Sequence, residues 1–328
     1  MKALLLALFA LPALALAQGA LTPSDAPAPT MKSLDQLEAR VPIGKVGGST
    51  SNLTIGKPGS YVLVGNVTVS SGNGITISGN NITLDLNGFT ISSNATSPTG
   101  YGVFVGNVRQ IVIENGHIRG SGTITNGEFD GTGFSGGVYV GTVSAKTVTI
   151  RNVTVREVGN FGIKFSGPFD SDTGVVEHCQ VHTCGTTGIE APVVRDCTAD
   201  NCGETAINAS RTFGCFGKTV GQSNRAHGIS AIDAVDCTGT ANAGVGISVS
   251  GSATNCHGTS STYIGLRAIA AIGCRGRTVS GVSGISVTLA ANCLGENDAG
   301  GIGLRADIAN TCAAASGTVS VTHKYNMP

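Results

Sequence analysis

Short runs of β-branched and apolar residues recur along most of the chain, separated by segments rich in Gly, Asn and Ser. Examples are Ile82–Leu84, Ile111–Ile113 and Thr147–Ile150. Runs of this length and composition are typical of β-strands. No stretch after residue 42 keeps the spacing of apolar residues that an amphipathic helix requires. The pattern therefore predicts an all-β protein with many short strands.

Two markers repeat with nearly the same period in the second half of the chain. A Gly followed by Ile or Leu occurs at Gly188, Gly228, Gly246, Gly265, Gly284 and Gly303, and Ala206-Ile207 takes the same place once. A cysteine recurs at Cys179, Cys197, Cys215, Cys237, Cys256, Cys274, Cys293 and Cys312. A shared period of about eighteen to nineteen residues predicts a stack of equivalent coils.

The residue before each cysteine belongs to a second, polar column that extends further back in the chain. Its members are Asn87, Asn115, Asn152, His178, Asp196, Gly214, Asp236, Asn255, Gly273, Asn292 and Thr311. Since adjacent side chains of a strand point to opposite faces, the two columns cannot face the same way. We expect the cysteine column to face the core, and the polar column to face outward or mark a turn.

Coils this short cannot bury a hydrophobic face alone, so each must stack on its neighbours. A leucine-rich repeat would need Leu-rich strands followed by Asn, and a propeller would need blades of about forty residues. The sequence therefore predicts a single-stranded right-handed parallel β-helix of about 12 coils. With strands about 4.8 Å apart, the rod would be roughly 55–60 Å long.

The N-terminus has the three parts of a cleavable signal peptide, assigned to residues 1–17. Met1-Lys2 is basic, Ala3–Leu14 is apolar, and Ala15–Ala17 is a small-x-small site with the cut after Ala17. A membrane anchor is the competing interpretation, but the apolar run is shorter than the ~20 residues that span a bilayer. We expect a secreted protein, extracellular or periplasmic, with no membrane span once the signal is removed.

A Pro- and Ala-rich stretch follows the signal peptide. Residues 18–42 are expected to form a linker and a short N-terminal capping helix that starts at the capping box Ser33–Gln36 and ends at Pro42. Such a helix would cover the first coil, whose backbone groups are otherwise unpaired. The β-helix domain is assigned to residues 43–328.

The segments Pro58–Leu63 and Ile82–Ile91, together with the coils, resemble right-handed parallel β-helix proteins of the pectate-lyase-like (pectin lyase-like) superfamily. The likeness is closest to uncharacterised secreted bacterial members and runs from about Gly56 to the C-terminus. It implies the architecture, whereas one such fold hosts many activities.

Enzymes of this superfamily act on polysaccharides by two routes, and the resemblance implies what each would need. Lyases bind calcium through clustered acidic residues and use an Arg or Lys base, whereas hydrolases use several aspartates in short motifs. The hydrolase strings are absent from this sequence, and Gly116-His117-Ile118 lacks the second Gly of a Gly-His-Gly motif. We therefore expect no cofactor, with calcium required only if the protein is a lyase.

Two interruptions of the repeat hold the candidate site residues. Ser121–Gly137 and Ser166–Gly174 are insertions, and insertions in solenoids form loops that often carry function. The catalytic candidates are Glu128, Asp130, Asp170 and Asp172, and the ligand-binding candidates are Phe129, Phe134 and Phe169. The two loops are expected to flank one groove. The alternative is that aromatic residues such as Phe104, Tyr139 and Phe165 belong to the core and the acidic loops are simply solvated.

The cysteines have two interpretations. Ten cysteines in an exported protein suggest disulfides, but parallel stacking keeps equivalent Cβ atoms further apart than the ~3.8 Å usual for a bridge. We expect the eight-membered column to be a buried ladder of thiols. Cys184 and Cys202 form a separate column and are the candidate disulfide. No metal site is expected, because His178 and Cys179 face opposite ways.

The balance of charge limits the partners. Twenty basic residues equal twenty acidic ones, which argues against a nucleic-acid partner. Three functional hypotheses stand: a non-enzymatic β-helix that binds polysaccharide or has a surface or structural role, a polysaccharide lyase or glycoside hydrolase with an atypical site, and a trimeric, spike-like structural protein. No sequence feature indicates a homo-oligomer.

Overall fold

The computed structural model describes residues 40–141, 147–167 and 174–327, and in these ranges the chain forms strands and no helix. The strands are β1 (Val41–Ile43), β2 (Leu53–Ile55), β3 (Gly59–Leu63), β4 (Val67–Val69), β5 (Ile75–Ile77), β6 (Ile82–Asp85), β7 (Thr90–Ser93), β8 (Tyr101–Val105), β9 (Ile111–Arg119), β10 (Ser121–Thr125), β11 (Glu128–Thr132), β12 (Gly136–Val140), β13 (Val148–Val158), β14 (Phe161–Phe165), β15 (Gly174–Glu177), β16 (Gln180–Cys184), β17 (Ile189–Arg195), β18 (Thr198–Cys202), β19 (Ile207–Phe213), β20 (Phe216–Thr219), β21 (Ile229–Val235), β22 (Thr238–Ala241), β23 (Ile247–Val249), β24 (Ser252–Thr254), β25 (His257–Ser260), β26 (Ile264–Ile272), β27 (Arg275–Thr278), β28 (Ser283–Ala291), β29 (Leu294–Asn297), β30 (Ile302–Asn310), β31 (Ala313–Ala314) and β32 (Thr318–Tyr325).

The first strand corrects one predicted boundary. Val41 and Pro42 lie in β1, which pairs in parallel with β3, so the β-helix begins at Val41 and not at residue 43. The predicted signal peptide, linker and capping helix at residues 1–39 lie outside the described residues. Within the described ranges, no helix is long and apolar enough to cross a membrane.

Each coil contributes a strand to each of three parallel faces, here called sheets A, B and C. Sheet A contains β2, β5, β8, β12, β14, β23 and the N-terminal halves of β17, β19, β21, β26, β28, β30 and β32. Sheet B contains β1, β3, β6, β15, β24, the N-terminal halves of β9 and β13 and the C-terminal halves of the long strands from β17 onward. Sheet C contains the C-terminal halves of β9 and β13 and the strands β4, β7, β16, β18, β20, β22, β25, β27, β29 and β31.

These pairings confirm the predicted right-handed parallel β-helix, because every described pairing between coils is parallel. Sheet A has thirteen strands, close to the predicted 12 coils. The apolar residue of the repeated Gly-apolar pair forms one inward column of this sheet: Ile189 lies in register with Ile207, which lies in register with Ile229. All three are fully buried. The repeat therefore exists because each coil must supply an apolar residue to the same internal position.

The cysteine column faces the core as predicted. All eight members are buried, with 1% to 3% exposure. Each thiol donates a hydrogen bond to the carbonyl oxygen two residues earlier, from 3.0 Å at Cys197 to 3.4 Å at Cys274. The Cys179 amide in turn donates to the Cys197 sulfur at 3.4 Å. The hydrogen bond to the Cys179 thiol and burial raise the pKa of Cys197, which keeps that thiol protonated at neutral pH.

The polar column forms the corner between sheets B and C. All eleven members have a positive φ, from 49° at Asp196 to 64° at Gly273. Gly, Asn and Asp adopt this left-handed conformation most readily, which explains the composition of the column. Side chains also connect successive corners, since the Asn152 amide donates to Asn115 Oδ1 at 3.2 Å. The prediction that this column marks a turn is confirmed.

The first insertion is an antiparallel β-hairpin and not an irregular loop. Strands β10 and β11 pair with Thr125 opposite Glu128, and Asn126 and Gly127 form the tip with φ of 54° and 86°. Two positive φ angles in a two-residue tip are characteristic of a type I′ turn, for which Asn-Gly is the preferred sequence. The hairpin packs along the corner that follows sheet C. A Cβ atom at Gly185 would lie only 3.1 Å from Phe129 Cβ.

Candidate binding site on sheet A

Three neighbouring strands of sheet A carry aromatic residues on their outer face. Phe104 of β8 lies between Val103 and Val105, which are fully buried. Because side chains alternate along a strand, Phe104 must point outward. Tyr139 of β12 lies in register with Phe104 and points outward for the same reason. Both rings are partly exposed.

Tyr101, Phe104, Tyr139 and Phe161 form one cluster of rings, here called the aromatic platform, and the rings of Tyr101, Phe104 and Tyr139 are nearly parallel. The ring centroids of Tyr101 and Tyr139 are 4.9 Å apart with planes inclined by 14°. Those of Phe104 and Tyr139 are 5.9 Å apart and inclined by 12°. The Phe161 ring is buried, lies 5.6 Å from Tyr101 and is inclined to it by 27°. Such distances are in the favourable range for aromatic pairs.

A glycine makes room for the platform. Gly136 lies in register between Tyr101 and Phe161 on adjacent strands. A Cβ atom built at Gly136 would lie 2.5 Å from an edge carbon of the Phe161 ring. The absence of a side chain at this position therefore allows the Phe161 ring to lie over β12 and approach Tyr101.

A charged pair borders the platform. Lys164 Nζ lies 5.8 Å from the Phe161 ring centroid and 2.7 Å from Glu190 Oε2. Lys164 lies in register with Tyr139 on one side and with Glu190 on the other. Burial raises the pKa of Tyr101, and the neighbouring Tyr139 phenol raises it further, whereas the positive charge of Lys164 opposes the shift. Phenols, ammonium and carboxylate are thus placed around one apolar surface.

The same outward column continues along the rod as a row of polar side chains. In register order after Glu190 it contains Asn208, Ser230, Ser248, Arg267, Ser286, Arg305 and Ser320. Neighbours in such a row are separated by the strand spacing of about 4.8 Å. Sheet A therefore presents an aromatic segment followed by an evenly spaced polar track.

This arrangement suits a ligand with apolar faces and polar edges. The rings provide flat apolar contact area, and the phenols provide hydroxyl groups that both donate and accept hydrogen bonds. Lys164 supplies donors and Glu190 supplies acceptors, while their charges balance. A neutral, polyhydroxylated ligand fits this chemistry better than an ion.

The predicted site residues of the first insertion lie on or beside the hairpin. Glu128 and Asp130 are exposed, opposite Thr125 and Thr123 of β10. The hairpin packs against β13 and β16. Phe129 is half-buried: its Cβ atom lies against Gly185, and the end of its ring lies over Gly122 and Gly131 of the same hairpin. Its role as a ligand contact stays a prediction.

Phe134, predicted as a ligand contact, is instead a core residue. Its side chain is fully buried, and it is among the largest buried side chains of the described chain. It follows the hairpin and enters the interior just before β12, where it contributes to the hydrophobic core. A residue with 0% exposure has no surface to offer a ligand.

The predicted site residues of the second insertion, Phe169, Asp170 and Asp172, lie outside the described residues, and their roles stay predictions. The described chain reaches Gly167 after β14 and resumes at Gly174 in β15. The groove expected between the two insertions has one of its walls in this range, so it also stays a prediction.

The candidate disulfide residues are close in the fold. Cys184 and Cys202 lie in register on β16 and β18, and both have 0% exposure. They are free thiols in this structure, as are the eight ladder cysteines. Burial raises the pKa of Cys184 well above its ordinary value. The bridge between these two residues stays a prediction.

Metal-binding groups do not converge in the described part of the chain, where no cluster of three or more His, Cys, Asp or Glu residues is found. His178 instead lies 3.8 Å from Asp196 of the next corner, as an exposed surface pair.

The platform residues were not predicted as a site from the sequence, although a signal was present. Phe104 and Tyr139 were assigned to the core in the alternative interpretation. Their position between two valines in Val103–Val105 and Val138–Val140 places them opposite the core-facing residues. Phe165, named with them, is indeed buried.

No family model matches this sequence, and no curated protein matches it. Two solved structures are similar in fold. One is the GH136 lacto-N-biosidase from Eubacterium ramulus, with 10% identity over 88% of this chain and 60% of the other, and a TM-score of 0.37. The other is the enzymatically active domain of tailspike protein 2 of bacteriophage CBA120, with 11% identity over 84% of this chain and 42% of the other, and a TM-score of 0.37.

This chain thus spans less than two thirds of the length of either solved structure. Likeness at this level assigns no activity. What the strand pairings establish is that the chain is a parallel β-helix protein.

Proposed function

We propose that this protein is an exported β-helix of the pectate-lyase-like superfamily that binds a neutral polysaccharide on the aromatic platform of sheet A without cleaving it. The observation that carries the proposal is the cluster of partly exposed, nearly parallel rings of Tyr101, Phe104 and Tyr139.

Aromatic side chains that bury their faces stabilise a core, whereas a solvent-facing cluster on adjacent coils leaves apolar area in contact with water. Sugar rings have apolar faces that cover such area, and their hydroxyl groups reach polar side chains at the edge. Lys164 and Glu190 occupy that edge.

The ammonium of Lys164 is compensated by the Glu190 carboxylate at 2.7 Å. The chain as a whole also has a formal net charge of +0. A polyanionic glycan would need an excess of positive charge where it contacts the platform, and the Lys164–Glu190 pair leaves none there; Arg267 and Arg305 lie several coils further along the column. A neutral glycan is therefore favoured.

The polar column that continues from Glu190 through Asn208 and Ser230 runs along the rod axis. Its hydroxyl and amide groups are spaced regularly by the coils. An extended chain bound at the platform would find further hydrogen-bonding partners in this direction, which supports a polysaccharide over a single sugar at this site.

The absence of cleavage is proposed from the number of carboxylates. Glycoside hydrolysis requires two carboxyl groups on opposite sides of the bond. Among the described residues that form or border the platform, Glu190 is the single carboxylate, and Lys164 holds it in an ion pair. Asp170 and Asp172 follow β14 in the chain and are the residues on which an enzymatic alternative would depend.

The predicted signal peptide at residues 1–17 supports a location where polysaccharides are present. The proposed compartment is extracellular or periplasmic, with cleavage after Ala17. Mass spectrometry of the mature protein, beginning at Gln18, would test that boundary.

The experiment is a pull-down on plant, algal and bacterial polysaccharides that measures both retention and release of soluble sugar. We expect retention on at least one neutral polysaccharide, loss of retention in Tyr139→Ala, and no product. Tyr325→Ala is the matched control, because Tyr325 is 57% exposed on the last strand and far from the platform in the chain. Retention unchanged by Tyr139→Ala would overturn the proposed site. Product release that disappears in Asp170→Ala or Asp172→Ala would show that the protein cleaves the polysaccharide and does not only bind it.

A further inference from the structure

A second candidate site, which is concave, lies on another face of the β-helix, between the tip of the hairpin and sheet C. It encloses about 350 Å³. Ile124, Asn126 and Gly127 form the hairpin side. The opposite side consists of successive coils around β18, β20 and β22, including Asn201, Lys218, Gln222, Thr240 and Asn242. We call it the hairpin cleft. It shares no residue with the aromatic platform.

The hairpin that forms one wall is held in place by close backbone approaches. The carbonyl oxygen of Gly127 would lie 2.8 Å from a Cβ atom built at Gly203. Phe129 packs on Gly185 in the same way, one coil earlier. These glycines let the hairpin lie directly on the coils, so both walls of the cleft are fixed before any ligand arrives. A preformed site avoids the entropy cost of ordering a loop on binding.

The cleft is lined by side-chain amides, some of which are hydrogen-bonded within the protein and some of which are not. The Asn201 side chain donates to Thr183 Oγ1 at 3.1 Å, and the Gln222 side chain donates to the Val220 carbonyl at 3.3 Å. In contrast, the side chains of Asn126 and Asn242 have no hydrogen-bond partner among the described residues. They belong to opposite walls, so two unused amides, each with a donor and an acceptor group, border the same space.

The charges of the cleft are balanced. Lys218 Nζ lies 3.5 Å from Asp200 Oδ1, and both side chains are partly exposed. The Thr240 hydroxyl lies beside Lys218 on the adjacent strand, in register with it. The lining thus combines amides and a hydroxyl with compensated charge, and Ile124, Val220 and Ala241 add apolar contact area.

We propose that the hairpin cleft binds a single neutral sugar unit. Amides pair well with sugar hydroxyl groups, since each partner both donates and accepts. The volume is at the small end of ligand sites in proteins, which favours one sugar ring over an extended chain. Because the positive charge is compensated, an anion gains little here. The proposal does not depend on the aromatic platform and can hold or fail separately from it.

The test is saturation-transfer difference NMR with glucose, galactose, mannose and N-acetylglucosamine as probes on the full mature protein. We expect at least one of them to bind with a Kd of about 1 mM, as befits a small polar ligand. Asn126→Gly removes one amide and keeps a residue that accepts the positive φ of the turn. Asn242→Ala removes the other amide from a coil that does not form part of the hairpin.

We expect each substitution to weaken binding by about five- to tenfold, as for loss of a hydrogen-bonding contact. Thr240→Val should also weaken binding, whereas Thr259→Val is the matched control, because Thr259 lies in register one coil further and does not line the cleft. Tyr139→Ala should leave binding of the monosaccharide unchanged. Absence of binding by all four sugars, or binding that persists in both Asn126→Gly and Asn242→Ala, would overturn the proposal.

Discussion

The phenol rings of Tyr101 and Tyr139 lie 4.9 Å apart with their planes inclined by 14°, although they belong to different coils. Register places Tyr101 opposite Gly136, and the missing side chain at Gly136 opens space that the Phe161 ring occupies. An aromatic pair of this kind contributes about 0.5–1.5 kcal/mol beyond the burial of its area. The platform is therefore both a structural element and a candidate binding surface.

The ionisation of Tyr101 reports on this environment. Burial and the Tyr139 phenol raise its pKa above 10.0, and Lys164 lowers it. The phenol therefore contributes stability that is present below its unfolded pKa and is lost as the pH rises through its folded pKa. We expect Lys164→Met to raise the pKa of Tyr101 further, and Tyr139→Phe to bring it closer to 10.0. NMR titration of the tyrosine ring carbons measures both shifts, and a lower pKa in Lys164→Met would contradict the placement of the ammonium.

Gly136→Ala tests how tightly the platform is packed. The added methyl group would lie 2.5 Å from the Phe161 ring, so the ring must move. Overpacking of this kind costs about 1–3 kcal/mol, and we expect a lower free energy of unfolding in urea. Gly56→Ala is the control, because its added methyl group would meet Ser78 Oγ at an ordinary 3.5 Å. Equal stability of the two variants would show that Phe161 does not cover Gly136.

Thr311 is the least favourable residue of the corner between sheets B and C. It is β-branched and has a φ of 53°, a conformation that Asn adopts more easily. We expect Thr311→Asn to stabilise the protein by about 1 kcal/mol, which for a chain of this size raises the Tm by about 2–4 °C. The reverse exchange Asn292→Thr should lower the Tm. A lower Tm for Thr311→Asn would show that the Thr311 hydroxyl, which bonds Asn310 Oδ1 at 3.0 Å, matters more than the backbone.

The burial of the cysteines predicts how many thiols react in a thiol titration without reductant. In the native state we expect no reaction, since all ten cysteines are buried. After denaturation we expect eight to ten reactive thiols: ten if Cys184 and Cys202 are reduced, and eight if they form the predicted bridge. Fewer than eight would mean that members of the ladder are paired, which would contradict a file of free thiols.

The repeating columns could be predicted from the sequence because each one satisfies a single physical requirement. The eight cysteines fill one internal position, and residues such as Asn115 and Asp196 occupy one left-handed corner, so period and composition both signal the fold. Because side chains alternate between the two faces of a strand, the sequence alone shows that adjacent columns face opposite ways. The same reasoning, applied to Val103–Val105, would have placed Phe104 on the outer face.

The candidate site was harder to predict because it depends on contacts between coils. Nothing in the local sequence shows that Phe161 lies over Gly136, or that Lys164 meets Glu190. The hairpin was missed although Asn126-Gly127 is a strong turn signal between two alternating segments. The repeat pattern predicts an insertion that continues to Gly137 and so places Phe134 in a loop, whereas the chain re-enters the core after Thr132.

Calorimetric titration with an oligosaccharide from the retained polysaccharide tests the central claim most directly. The account predicts that Tyr139→Ala weakens binding at least about tenfold, or about 1.4 kcal/mol, as expected for a central aromatic contact. Tyr325→Ala should bind as the wild type does. Equal affinity of Tyr139→Ala and the wild type would contradict a glycan-binding role for the platform.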